Sequence, residues 1–362
     1  MSPVSPGLYL ASAGSYPRIG DTPELQLLRR TIAALDRGER TTADLLDAEN
    51  EVTRWAIADQ VKAGLDIVTD GLIRWNDPIS HIAGKLDNVR IGGLLRYLDT
   101  NFYFRQPILA AKPIRRGMIV LNDYNFARNA LGHLPTLPEK AGKLSVKPVL
   151  TGPYTLAKFS LAAASGNGEP GPFAALEART QAYAEALAPE IASLAKAGAE
   201  IIQLDEPAAI KYPDDWPIFV ASLAPLVAAR DAAAKDSTRA VELALYTYFH
   251  DATPLYEKLV QLPVDIFGLD FTYNKQLADL AAAVGSPKPL ALGMIDARNT
   301  ALADPDVIAW QLERILPKIA GGRAYLGPSA GLEYLPRDRA FAKLEHLAKV
   351  RALVQSGSRV RP

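Results

Sequence analysis

Short apolar runs rich in β-branched residues alternate along the chain with longer stretches in which apolar side chains recur at helical spacing. That alternation marks repeated strand–helix units around a parallel sheet. Eight runs stand out: Leu8–Ala13, Leu65–Asp70, Lys147–Thr151, Ile201–Asp205, Val241–Tyr246, Ile266–Asp270, Leu290–Met294 and Ala324–Gly327. Eight strands close a barrel, so the predicted fold is α/β, a (β/α)8 TIM barrel. The intervening helices open on ordinary start signals, Thr22-Pro23-Glu24 ahead of Leu25–Leu35 and Asp304-Pro305-Asp306 ahead of Val307–Ile315. Ala174–Ala197 and Arg337–Val354 are long and rich in Ala, Leu, Glu and Lys, as helices of an outer ring are.

Segment Asp77–Leu144 breaks this rhythm with Gly92-Gly93, several aromatics and the pair Arg115-Arg116. It is expected to hold a hairpin and one helix around Asn122–Leu131. The predicted organisation is one barrel domain over residues 1–355 with 77–146 as an insertion after the second strand, and a flexible tail over 356–362. Pro213–Pro217 and Gly166–Pro172 are expected loops.

Composition narrows the class. Forty basic residues balance forty acidic ones, so no excess charge draws the chain to nucleic acid or to an anionic membrane, and a small-molecule substrate is the expected partner. Met1 opens no charged and apolar leader, and no run approaches the roughly eighteen apolar residues that span a bilayer. The expectation is a cytoplasmic protein. With no cysteine and only four histidines, disulfides, thiolate nucleophiles, iron–sulfur clusters and cysteine-containing zinc sites are excluded.

In a barrel of this class the chemistry lies at the C-terminal ends of the strands. Those ends are polar here. They read Gly14-Ser15-Tyr16-Pro17-Arg18, Arg74-Trp75-Asn76-Asp77, Thr151-Gly152-Pro153-Tyr154, Asp205-Glu206-Pro207, Tyr246-Thr247-Tyr248-Phe249-His250, Asp270-Phe271-Thr272, Asp296-Ala297-Arg298 and Pro328-Ser329-Ala330-Gly331. Gly-Pro pairs make turns and carboxylates cap helices, so each alone has a purely structural explanation. Asp205-Glu206 is the sharper case. Adjacent residues on a continuing strand face opposite sides, leaving one carboxylate for a ligand or a proton and the other for a loop.

Taken in order, these strand ends resemble the catalytic half of cobalamin-independent methionine synthase. Ser12–Arg18 is similar to the family's first-strand motif. Gly64-Leu65-Asp66 through Asp70-Gly71 to Arg74-Trp75-Asn76-Asp77 resembles the second, Leu150-Thr151-Gly152-Pro153 the next, and Ile202-Gln203-Leu204-Asp205-Glu206-Pro207 is the most specific piece. The resemblance implies methyl transfer to homocysteine sulfur from a methylated folate or, in short versions of the chain, from a methylated corrinoid protein. By position, Asp205 would grip the acceptor's amino group and Ser15 with its neighbouring backbone the acceptor's carboxylate, with Glu206, Trp75, Asn76 and Thr151 also on the acceptor side. Tyr154, Phe159, Arg18 and Arg105 fall on the donor side, Phe159 where the family has a tryptophan. A family glutamate that contacts the acceptor falls on Leu72.

The implied metal site is replaced throughout. The family's His-x-Cys pair falls on Tyr246 and Tyr248, its glutamate ligand on Asp270 and its last cysteine on Ala330. No zinc is expected. In its place, Tyr246 and Tyr248 are expected to orient a nucleophile such as an amine, and Asp270 or His250 to deprotonate it. The methyl donor is methyl-tetrahydrofolate or methylcobalamin, the latter implying a corrinoid or other methyl-donor protein as partner. Three alternatives accompany this expectation: homocysteine S-methylation without zinc, a uroporphyrinogen-decarboxylase-like enzyme, and a non-catalytic ligand-binding barrel.

Overall fold

A computed structural model of the chain describes residues 7–135, 144–164, 169–235 and 240–357. Its elements begin with β1 (Gly7–Leu10), α1 (Leu27–Asp36), α2 (Thr42–Lys62), β2 (Ile67–Val68), α3 (Ser80–Ala83), β3 (Leu86–Arg96), β4 (Tyr103–Arg115) and α4 (Leu121–Gly132). Next come β5 (Ser145–Val146), β6 (Val149–Thr151), α5 (Pro153–Lys158), β7 (Leu161–Ala162), α6 (Leu176–Lys196), β8 (Ile201–Asp205), α7 (Ala208–Lys211) and α8 (Trp216–Lys235). The chain continues through β9 (Glu242–Thr247), α9 (Tyr256–Leu259), β10 (Ile266–Asp270), α10 (Gln276–Val284), β11 (Leu290–Ile295), α11 (Pro305–Ile315), β12 (Arg323–Pro328) and α12 (Arg337–Ser356).

The largest sheet has the strand order β1-β12-β11-β10-β9-β8-β6, β2 pairs with β5, and β3, β4 and β7 make a third sheet. The chain forms two compact units. Trp75–Asn122 and Pro148–Gly268 make the β8 unit, and Ser5–Arg74, Asp123–Lys147 and Leu269–Pro362 make the β12 unit. In the β8 unit, β6, β8 and β9 are parallel, with Thr151 opposite Asp205 and Asp205 opposite Tyr246. In the β12 unit, β1 and β11 both run parallel to β12, with Leu8 and Leu290 each opposite Ala324. Strands β8, β10 and β11 are buried along their whole length, which is why the sequence shows them as mostly apolar runs.

Several expected elements change in extent, each for a local reason. The second strand shrinks to Ile67–Val68 because the amide of Gln60 replaces a neighbouring strand, donating to the Thr69 carbonyl and accepting from the Thr69 N–H, both at 3.0 Å. The third splits into β5 and β6 around Lys147-Pro148, Pro148 having no N–H to give. The expected loop Pro213–Pro217 is corrected to a short 3-10 turn, Pro213–Asp215, running into α8. Pro217 is harmless there, since first-turn N–H groups have no helical acceptor. Residues 166–168 of the expected loop Gly166–Pro172 and 358–362 of the expected tail lie outside the described residues.

The expectation that no segment approaches membrane-spanning length is also corrected. Pro213–Lys235 is long and apolar enough to cross a membrane by length and composition. Its apolarity has an ordinary source. Phe219, Leu223 and Leu226 are buried, while the exposed positions Ala221, Ala224 and Ala228 are alanines, which favour helix without presenting large apolar surface.

Within residues 77–146, β3 and β4 form an antiparallel hairpin whose register shifts between Ile91 and Leu94, at Gly92-Gly93. Its exit is fixed by Glu190 of α6. One carboxylate oxygen accepts from the N–H groups of Ile119, Val120 and Leu121 at 2.9, 2.7 and 2.9 Å, and Arg115 pairs with the other at 2.6 Å. Glu190 is fully buried. Replacing it with Ala leaves three donors and a guanidinium without their acceptor, a loss of about 3 kcal/mol or more. Glu190→Ala is therefore expected to lower the thermal unfolding midpoint by several degrees; a midpoint equal to wild type contradicts this anchoring.

Candidate active site

Strand β8 ends in two carboxylates that face opposite ways. Asp205 Oδ1 accepts from Gln203 Nε2 at 2.7 Å, and Oδ2 accepts from the Tyr248 hydroxyl at 3.1 Å. Gln203 lies two residues before Asp205, so the strand's period of two places both on one side. Glu206 turns the other way. Its Oε1 accepts the Tyr154 N–H at 3.0 Å, and its Oε2 accepts the Thr155 N–H and hydroxyl at 2.7 and 2.6 Å. The carboxylate thereby caps the first turn of α5, where a negative charge meets free N–H groups. Gly152 makes room for it, since a Cβ at that position would stand 2.2 Å from Oε1.

Two expected ligand contacts are corrected by this arrangement. Glu206 is a buried cap rather than an acceptor contact, both its oxygens being engaged inside the fold. Tyr154, expected on the donor side, is fully buried, and its hydroxyl donates to Asp215 at 2.7 Å. The other expected positions in this unit are placed as follows. Thr151 is buried and donates to the Pro78 carbonyl. Trp75 stacks on His81 with ring centroids 4.9 Å apart, and Phe159 is half-buried in an aromatic cluster, 5.3 Å from Phe104 and 5.7 Å from Tyr97. Asn76 and Arg105 are exposed. Tyr246 is half-buried, its ring against Gly268, where a Cβ would come within 2.4 Å of it. His250 Nε2 stands 3.7 Å from Asp99. Burial and the Lys211 charge hold the imidazole below its ordinary pKa against the opposing effect of Asp99.

The β12 unit carries the remaining positions. Ser15 is half-buried, and its carbonyl accepts the Leu332 N–H at 2.9 Å. A Cβ on Gly331 would lie 1.9 Å from Ser15 Oγ and 2.4 Å from Glu333 Oε2, so both side chains pack close against this glycine. Arg18 is half-buried, and burial lowers its pKa against the carboxylates of Glu333 and Glu49. Asp270 is 2% exposed. Its Oδ1 accepts from the Thr272 N–H and hydroxyl at 2.9 and 2.6 Å and from the Tyr273 N–H at 3.1 Å. Its Oδ2 is buried with no hydrogen-bond partner among the described residues, and Arg298 Nη1 stands 4.0 Å away. Burial raises the Asp270 pKa, with the Thr272 hydrogen bonds and Arg298 opposing. Gln203, Glu333 and Arg298 were not singled out from sequence. Strand periodicity from Asp205 points to Gln203, whereas a carboxylate and a guanidinium in loops have no such marker.

These residues do not fit a zinc–thiolate centre. Tyr248 is directed to Asp205, three donors occupy one oxygen of Asp270, Ala330 is buried and has no donor atom, and the sequence holds no cysteine. Among the described residues no group of three or more His, Asp or Glu side chains is gathered as a metal cage.

Residues 10–352 match the family model described as the cobalamin-independent synthase catalytic domain. The chain belongs to that family. It is 26% identical over 328 residues to a methionine synthase of Saccharolobus solfataricus, covering 90% of each chain, and 25% identical over 342 residues to one of Sulfurisphaera tokodaii, covering 93% of this chain and 91% of that one. A solved B12-independent methionine synthase of Shewanella sp. W3-18-1, in complex with selenomethionine, superposes with a TM-score of 0.72 at 18% identity over 96% of this chain and 98% of that one. A methyltransferase of Methanosarcina mazei gives 0.54 at 13% identity, over 94% of each chain. The family fold is the (β/α)8 barrel, and this synthase-family chain is a methyltransferase.

Glu206 also sets a pH dependence. Burial pushes its carboxyl from 4.5 up to about 7, and the Asp205 charge adds to this, against the three donors that favour ionisation. The folded state therefore binds a proton that the unfolded state has released, and stability from this group falls as pH rises from 4.5 to about 7. Relative to Glu206→Gln, the wild-type unfolding free energy is expected to decline over that interval and level off above it. Parallel curves for the two proteins, measured by denaturant titration, rule out this assignment.

Proposed function

We propose that this protein is a zinc-independent methyltransferase. It moves a methyl group from methyl-tetrahydrofolate or a methylcorrinoid to a small amino-acid-like or amine acceptor, acting as one barrel domain over residues 1–355 with 77–146 as an insertion. The observation that carries this reading is Asp270 Oδ2, a buried carboxylate oxygen with no hydrogen-bond partner among the described residues, at the position where the family implies a metal ligand. Unsatisfied buried oxygens are costly and concentrate where a ligand completes them.

In this reading Asp205 binds the acceptor's ammonium group, and Ser15 with its neighbouring backbone binds the acceptor's carboxylate. The nucleophilic atom of the acceptor attacks the methyl carbon, the bond from methyl to donor breaks, and the donor keeps that electron pair. A folate donor leaves as the amine once its nitrogen has taken a proton. Asp270 accepts the proton that the acceptor nucleophile loses, and its raised pKa makes it a stronger base than an exposed carboxylate. Phe159 offers an aromatic face on the donor side, and Tyr246 flanks the nucleophile. Homocysteine S-methylation is the second reading, favoured by the name methionine synthase carried by the relatives of the chain.

Asp270→Asn is expected to lower turnover by about 10²-fold or more, the usual worth of a general base, while acceptor affinity changes little. Wild-type turnover should fall as pH drops through a value above the ordinary carboxylate range, and the variant should lose that limb. A steady-state rate equal to wild type removes Asp270 from the chemistry.

A further inference from the structure

The position where the family implies a metal-binding thiolate is held here by Tyr248, and its hydroxyl is given to Asp205 instead. Asp205 is 6% exposed and Tyr248 is 7% exposed, so this hydrogen bond lies inside the protein, where water competes little. Gln203 takes the other oxygen from the opposite end of the carboxylate. Both donors are neutral, so the clamp orients Asp205 without cancelling its charge.

The clamp is rigidly mounted. Gln203 and Asp205 lie on β8, and the register of β8 with β9 sets Asp205 opposite Tyr246, two residues before Tyr248. Immediately after Tyr248 the backbone turns through Phe249 at φ 68°, a left-handed conformation that a bulky side chain rarely adopts. Phe249 is buried and packs edge-on against the Tyr248 ring, with centroids 4.8 Å apart at 78°. The tyrosine ring is thus fixed from behind while its hydroxyl reaches the carboxylate.

We infer that Tyr248 and Gln203 are positioning residues that fix the Asp205 carboxylate for an acceptor's ammonium group, so that a former metal-ligand position now serves recognition of an amine. This rests on the reading of Asp205 as the amine contact. In this inference each clamp residue bears on the ligand through its hydrogen bond to Asp205. Ligands that carry an amine should feel its loss, and otherwise identical ligands without one should not.

The test is calorimetric titration of the full chain with L-methionine and with its des-amino counterpart, 4-(methylthio)butanoate. Tyr248→Phe and Gln203→Leu are each expected to weaken L-methionine binding by about tenfold, the worth of one hydrogen bond to a charged group, with the des-amino acid unchanged. In the Asp205→Asn background, Tyr248→Phe should add little further, because the charge that the clamp orients is already gone. Wild-type affinity in both single variants, or equal weakening of both ligands, overturns the clamp while leaving Asp205 as the amine contact if Asp205→Asn still loses L-methionine selectively. Absence of L-methionine binding by wild type, or unchanged binding by Asp205→Asn, overturns the amine contact and the clamp together.

Discussion

The alternation at the end of β8 organises the part of the molecule that surrounds it. A strand places successive side chains on opposite sides, so two adjacent carboxylates cannot share one task. Glu206 turns into the fold and caps α5 through the N–H groups of Tyr154 and Thr155, while Asp205 turns to the other side and meets Gln203 and Tyr248. Burying a carboxylate is tolerable only where donors answer it. The cap meets that condition for Glu206, and Gly152 supplies the space for it. Removing the cap would release the start of α5 and with it the turn that follows Thr151.

A second constraint comes from the residues at the positions where the family resemblance implies metal ligands. Zinc would hold an acceptor thiol as a thiolate and lower its pKa. Two phenols, one carboxylate and an alanine cannot do that, and they are not arranged for it. Tyr248 serves Asp205, Tyr246 lies against Gly268, and Asp270 has one oxygen held by the Thr272–Tyr273 turn and one left over. In the proposed reading Asp270 takes the proton that the nucleophile loses and Asp205 meets the acceptor's amine.

Much of the scaffold was legible in the sequence because buried parallel strands leave a simple mark. Ile201–Asp205 and Ile266–Asp270 have the bounds the pattern predicts, the third run splits at Lys147-Pro148, and the others differ by a few residues at their ends. The second strand shortened because a side chain, Gln60, replaced a neighbouring strand, and no periodicity reports that. The site was legible as a set of strand-end positions and less so as a set of roles. The sequence placed Glu206 beside Asp205 but could not show which of the two would be enclosed. Tyr154 was expected on the donor side, yet α5 turns it inward to Asp215. Gln203 was hidden in plain view, since an amide within an apolar strand looks like a defect until its partner is known.

The most direct measurement is methyl transfer by chelator-treated protein, with zinc determined by mass spectrometry on the same sample. Methyl-tetrahydrofolate and methylcobalamin would be offered with homocysteine and a panel of amine acceptors. Turnover without stoichiometric zinc, undiminished by the chelator, is the predicted result. Stoichiometric zinc whose removal abolishes turnover would contradict the account and return homocysteine, activated as a metal-bound thiolate, as the acceptor.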